Sequence, residues 1–166
     1  MIEGTSLKPR VCYVLPEYNL PTGSHFFYLY ELLERAAQKL DLLVIVEKAN
    51  TLFATIRFPA YRQKFRFPPF RVLELLFLLV RERIRGATSF YVHYSFLGAL
   101  VAWVVTASMG GRVFYWNCGM PWLYSRPLFE ELVFRFILRH TILVTGTKGI
   151  EEEYQRRYGV FPGRVH

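Results

Sequence analysis

The sequence predicts an α/β fold: a single domain built on a doubly wound parallel sheet. Three observations carry that expectation. Short runs of β-branched and aromatic residues alternate with stretches whose apolar residues recur every three or four positions. The runs are continuously apolar, as in strands covered on both faces. The 166 residues leave room for one core, and 52% hydrophobic against 20% charged residues excludes a disordered chain.

The elements follow in order. Residues 10–15 (RVCYVL) read as a buried strand stopped by Pro16. Pro21-Thr22-Gly23-Ser24 is a loop, with Thr22 or Ser24 able to cap the next helix. Phe26, Leu29, Tyr30, Leu33 and Ala37 define an amphipathic helix over 25–39. Residues 41–46 (DLLVIV) form a second strand, and 73–85 a helix with charges at both ends. Three further strands, over 89–93, 112–117 and 141–145, each precede a helix, over 96–109, 127–139 and 148–158. The crossover rule then gives a Rossmann-like sheet with its ligand cleft at the carboxyl ends of the strands.

Residues 86–111 contain no Asp, Glu, Lys or Arg, a stretch long enough to span a bilayer. Its polar first half and the pair Gly110-Gly111 favour a strand followed by a buried helix. No signal-like run opens the sequence, so the expected compartment is the cytoplasm. Cys12 and Cys118 are the only cysteines, too few for a disulfide scaffold or a structural zinc site. No metal and no other cofactor is expected.

The formal net charge of +8 predicts an anionic partner. Most of it lies in one place. Residues 52–71 (LFATIRFPAYRQKFRFPPFR) hold Arg57, Arg62, Lys64, Arg66 and Arg71 and no acid, interleaved with Phe53, Phe58, Tyr61, Phe65, Phe67 and Phe70. Pro59, Pro68 and Pro69 argue against a long helix there. Such a segment suits the inner face of an anionic membrane, with Arg57, Phe58, Arg62, Lys64, Phe65, Arg66 and Phe67 as contacts. It also suits single-stranded nucleic acid, or a solvated loop whose rings tuck into the core. The aromatic stretch 121–139 is a second candidate for a membrane or partner surface, or a packed helix.

Candidate chemistry gathers at the predicted strand ends. Thr22-Gly23-Ser24 precedes a helix whose first amides suit phosphate, without a G-x-G-x-x-G pattern. His25 opens that helix, and His93 closes the third strand. Asn117-Cys118-Gly119 closes the fourth; Asn can orient a hydroxyl, and Cys118 is a possible nucleophile only with a base beside it.

The order of these pieces resembles the N-terminal domain of GT-B-fold glycosyltransferases, most closely family 4. The first strand with Pro21-Thr22-Gly23-Ser24-His25 looks like the family's glycine loop. Tyr91-Val92-His93-Tyr94-Ser95, with the following Ala/Leu-rich helix and Gly110-Gly111, is similar to its H-x-H strand end. Tyr91 stands where the first histidine is usual, and Asn117-Cys118 replaces the usual His-Asp or His-Thr. Residues 142–166 resemble the approach to the interdomain crossover. The resemblance implies the acceptor-side half of a retaining enzyme that moves a sugar from a nucleotide-sugar donor to an acceptor hydroxyl. It implies a donor-binding half beyond residue 166, without which the chain transfers nothing. His93 and Asn117 would be catalytic. Thr22, Gly23, Ser24, His25, Tyr94, Cys118 and Thr145 would line the donor and acceptor cleft. The basic segment then suggests a lipid-linked or membrane-surface acceptor. The competing expectation is a non-enzymatic basic module that binds a nucleotide or nucleic acid.

Overall fold

The computed structural model describes residues 8–18, 23–49 and 57–160. The elements run β1 (Arg10–Tyr18), α1 (Gly23–Lys39), β2 (Asp41–Ala49), β3 (Ala60–Arg62), α2 (Pro68–Ile84), β4 (Ser89–His93), α3 (Phe96–Met109), β5 (Arg112–Trp116), α4 (Leu128–His140), β6 (Ile142–Val144) and α5 (Lys148–Tyr158). The six strands form one sheet in the order β3-β2-β1-β4-β5-β6, and every pairing is parallel. This is the expected Rossmann-like fold.

Alternation along the strands divides the core in two. Cys12, Val14, Ile45, Phe90, Val92 and Tyr115 face α2, α3, α4 and α5. Val11, Tyr13, Leu15, Val44 and Val46 face Leu29 and Leu33 of α1. The two faces are unequally covered, since α1 is the one helix packed on the second face among the described residues. Tyr91, Phe114 and Trp116 on that face stay half-buried.

β2 runs three residues past its expected end, to Ala49, and α1 opens at Gly23 inside the expected loop; three further differences each have a physical reason. β1 passes through Pro16 instead of stopping there. It pairs with β4 only over Val11–Val14, and with β2 alone beyond that point. A residue without an N–H is tolerated on such a one-sided stretch. Helix α2 begins at Pro68-Pro69, five residues before the expected start at 73, because proline suits the first turn, whose amides have no intrahelical acceptor. Strand β3 was not expected at all. It is three residues long and adds to the outer edge of β2 through Val44–Ala60, Ile45–Tyr61 and Val46–Arg62.

The uncharged span 86–111 divides into β4 and α3, and among the described residues no helix is long and apolar enough to cross a membrane. Ser95 caps α3, its Oγ accepting from the Gly98 amide at 3.1 Å. Gly111 has φ +124°, and a Cβ there would lie 2.9 Å from the Thr88 carbonyl oxygen. Only glycine combines that backbone with that approach.

The amino ends of the strands are tied by charge. Glu82 of α2 has a side chain only 1% exposed, and it accepts from Arg10 Nη2 at 2.7 Å and Nε at 3.0 Å. Arg81 Nε reaches its other oxygen at 3.0 Å, while Arg10 also holds Asp41.

Candidate functional site

The carboxyl edge of the sheet opens where β1 and β4 part. Their last shared pair is Val14–Val92. Beyond it, Leu15, Pro16 and Glu17 on one side and His93 on the other bound a cleft of about 240 Å³. Leu29, Glu47, Lys48 and Arg71 complete its wall. This is the switch point of the sheet, where such folds place ligands.

His93 is 1% exposed. The Tyr13 hydroxyl lies 3.0 Å from its Nδ1, with Trp116 and Tyr94 at ring distances of 5.0 and 4.6 Å. Burial among these groups lowers its pKa to about 4, so the imidazole is neutral at physiological pH. With the hydroxyl donating to Nδ1, the ring proton resides on Nε2. A neutral imidazole on a cleft wall can hold a sugar or alcohol hydroxyl without adding charge.

Immediately after His93 the chain turns sharply. Tyr94 has φ +56°, a left-handed conformation uncommon outside glycine. Its amide donates to the Trp116 carbonyl at 2.9 Å. The turn delivers Ser95, whose hydroxyl donates to Glu47 at 2.7 Å. Arg71 holds the other oxygen of the same carboxylate. Glu47 therefore knits β2, α2 and the start of α3 together beneath the cleft.

A second pocket of about 310 Å³ adjoins the first and shares Glu47, Lys48 and Arg71 with it. Arg62, Gln63, Lys64, Phe65 and Arg66 form the remainder. The basic segment is thus placed beside the cleft. Arg57, Arg62, Lys64, Phe65, Arg66 and Phe67 are exposed. Phe58 is not: at 7% exposure it packs with Val44, Val46 and Leu29, so it has no ring to offer an outside surface. Its expected membrane contact is corrected by that burial.

Asn117 opens on a different pocket, with Tyr94, Tyr115 and Arg126. Its Oδ1 accepts from the Gly119 amide at 3.0 Å, and its Nδ2 donates to the Tyr115 hydroxyl at 3.2 Å. These bonds close a local turn. Cys118 receives the Trp116 indole N–H at 2.6 Å, and burial raises its thiol pKa, which weakens it as a nucleophile. Thr145 follows β6 and lines neither His93's cleft nor Asn117's pocket. Gly23, Ser24 and His25 form the first turn of α1; Thr22 and the side chains of Ser24 and His25 lie outside the described residues. The structure therefore brings His93 together with the basic segment and separates it from Asn117's pocket. Sequence reasoning missed Tyr13 and Glu47, and it counted Arg71 only as one charge of the basic segment. The signal for Glu47 was a charged residue directly after an apolar strand; Tyr13 had none.

No family model and no curated protein sequence matches the chain. Solved structures do. The UDP-GlcNAc 2-epimerase from Methanocaldococcus jannaschii superposes with a TM-score of 0.68 at 14% identity, over 95% of this chain and 44% of that one. A glycosyltransferase from Rickettsia africae ESF-5 gives 0.67 at 9% identity, over 95% and 42%. S. aureus MnaA in a structure with UDP gives 0.61 at 12% identity, over 94% and 42%. The chain spans less than half the length of each. At these identities the likeness establishes the fold alone, a Rossmann-like α/β domain.

Proposed function

We propose that this chain is the acceptor-side half of a glycosyltransferase that moves a sugar from a nucleotide-sugar donor to an acceptor hydroxyl with retention, on the cytoplasmic face of a membrane. The observation that carries the reading is the cleft at the β1–β4 divergence, where a buried neutral imidazole shares the wall with Glu17, Glu47, Lys48 and Arg71 and the basic pocket adjoins it. In the transfer, the bond from the anomeric carbon to the diphosphate breaks and a bond to the acceptor oxygen forms. The hydroxyl proton leaves with the diphosphate. His93 would hold that hydroxyl on the face from which the diphosphate departs, as retention requires, a positioning contribution, while the cations of the adjoining basic pocket favour the anionic leaving group. Asn117 would shape the neighbouring wall through its turn. The membrane part of the reading is supported by the exposed Phe65 and Phe67, packed on exposed Phe70 at 5.8 and 5.6 Å, and by Leu73 and Phe77, exposed on α2.

The test uses the gene product as its own cell makes it. Membrane fractions are given labelled nucleotide sugars, and lipid-extractable label is counted. The reading expects incorporation that falls about 100-fold or more with His93→Ala, the scale of losing a well-placed contact to the reacting group. Label that is unaffected by His93→Ala would remove His93 from the site, and tight salt-dependent binding of oligonucleotides with no transfer would replace this reading with that of a nucleic-acid module.

A further inference from the structure

The pocket between β2, β3 and the start of α2 carries more charge than the fold needs. Lys48, Arg62, Lys64 and Arg66 converge on it, with Arg71 in its wall. The one carboxylate present, Glu47, is already held by Arg71 and Ser95. The other four cations form no ion pair among the described residues. Helix arginines such as Arg35, Arg135 and Arg156, by contrast, sit on neighbouring glutamates. Four like charges around one space repel each other, and a fold gathers them at a cost unless an anion occupies the space.

The loop that carries them is fixed from below. Glu74 of α2 accepts from the Lys64 amide at 3.0 Å, the Phe65 amide at 3.3 Å and the Tyr61 hydroxyl at 2.8 Å. Gln63, 5% exposed, donates its side-chain amide to the Arg71 carbonyl at 2.9 Å. A second observation points the same way: Arg71 Nε is buried with no hydrogen-bond acceptor. A buried guanidinium nitrogen without a partner is costly, and the Arg71 side chain, turned toward an anion at this wall, would gain one.

We propose that this pocket is a phosphoryl-binding subsite, taking the phosphate or diphosphate group of the acceptor and so aiming the rest of it at His93. It rests on the transferase reading in naming the acceptor as the ligand; the binding of a phosphoryl group does not. Glu47, Lys48 and Arg71 line both spaces, so a molecule seated by its phosphate here extends into the His93 cleft. The phosphate could be borne by a lipid, with Phe65, Phe67 and Phe70 at the bilayer, or by a soluble molecule.

The experiment titrates the chain with inorganic pyrophosphate by calorimetry. The subsite predicts saturable one-to-one binding. Replacing Arg62, Lys64 and Arg66 by Gln, all exposed positions, should weaken it about tenfold or more with the thermal midpoint preserved. Arg156→Gln should leave it unchanged. The decisive variant is Glu74→Ala, which removes a negative charge and no cation. A merely electropositive surface would then bind pyrophosphate more tightly, whereas a built site that loses its loop support binds it several-fold more weakly. Tighter binding in Glu74→Ala, or unchanged affinity in the triple variant, overturns the subsite. Phosphatidylcholine vesicles with and without phosphatidic acid identify the source: recruitment lost in the triple variant supports a lipid-borne phosphate, and pyrophosphate binding without recruitment supports a soluble one. Transfer activity that survives the triple variant intact would sink the subsite and leave the transferase reading standing.

Discussion

Replacing Glu82 by alanine is expected to destabilise the fold by about 3–5 kcal/mol, the scale of removing one partner from a buried ion pair. The carboxylate is almost fully enclosed, and both its oxygens are used, one by the two Arg10 nitrogens and the other by Arg81 and Arg85. Arg10 is the first residue of β1, and its guanidinium pKa is raised, chiefly by the hydrogen bond to Glu82. Without that partner, a part-buried cation keeps Asp41 alone, and Asp41 is half exposed. The expected result in urea denaturation is a lower midpoint with an unchanged slope. Glu31→Ala, which breaks an exposed pair with Arg35 on α1, should cost less than about 0.5 kcal/mol in the same assay. Equal effects from the two substitutions would show that the Glu82 cluster does not brace the sheet.

His93 makes the second large prediction, and its sign follows from proton counting. In the unfolded chain the imidazole titrates near 6.5, and in the fold at about 4. Between those values the unfolded state binds more protons, so stability falls as pH drops from 6.5 toward 4 and is flat with respect to this group outside that window. The full loss is about 3 kcal/mol. Denaturation at pH 7 and pH 4 should show the wild type losing about that much more than His93→Gln, which cannot titrate. An NMR titration of the ring should show it still neutral at pH 5. A ring that protonates near pH 6.5 would contradict the buried environment formed by Tyr13, Tyr94 and Trp116, and with it the neutral imidazole assigned to the cleft.

How much of this was legible in the sequence depended on whether a feature was local. β4 and α3 were placed to the residue, because the run SFYVH, the cap Ser95 and the stop Gly110-Gly111 all act within a few positions. α5 was placed as well, with Thr147 at one end and Gly159 at the other. β3 was not, because a three-residue edge strand is defined by its neighbour β2 and carries no period of its own. The passage of β1 through Pro16 depended on where β4 stops pairing with it, a tertiary fact. The site divided the same way. His93 was visible as a strand end, but its partner Tyr13 lies 80 positions away. The rings of the basic segment looked equivalent in sequence, and packing alone separated buried Phe58 from exposed Phe65 and Phe67. Asn117 and His93 looked like one site because both end strands; adjacent strands nevertheless deliver them to different pockets.

The central claim is that the working face of this protein is the carboxyl edge of its sheet, from the basic pocket to the His93 cleft. Amide chemical-shift mapping with a phosphorylated sugar is the most direct measurement of it. The account predicts shifts concentrated at Leu15, Glu17, Glu47, Lys48, Arg62–Phe67, Arg71 and His93–Ser95, with Arg10, Asp41, Glu82 and Gly111 at the opposite edge unmoved. Shifts centred on the Arg10–Glu82 end, or spread evenly over the surface, would contradict it.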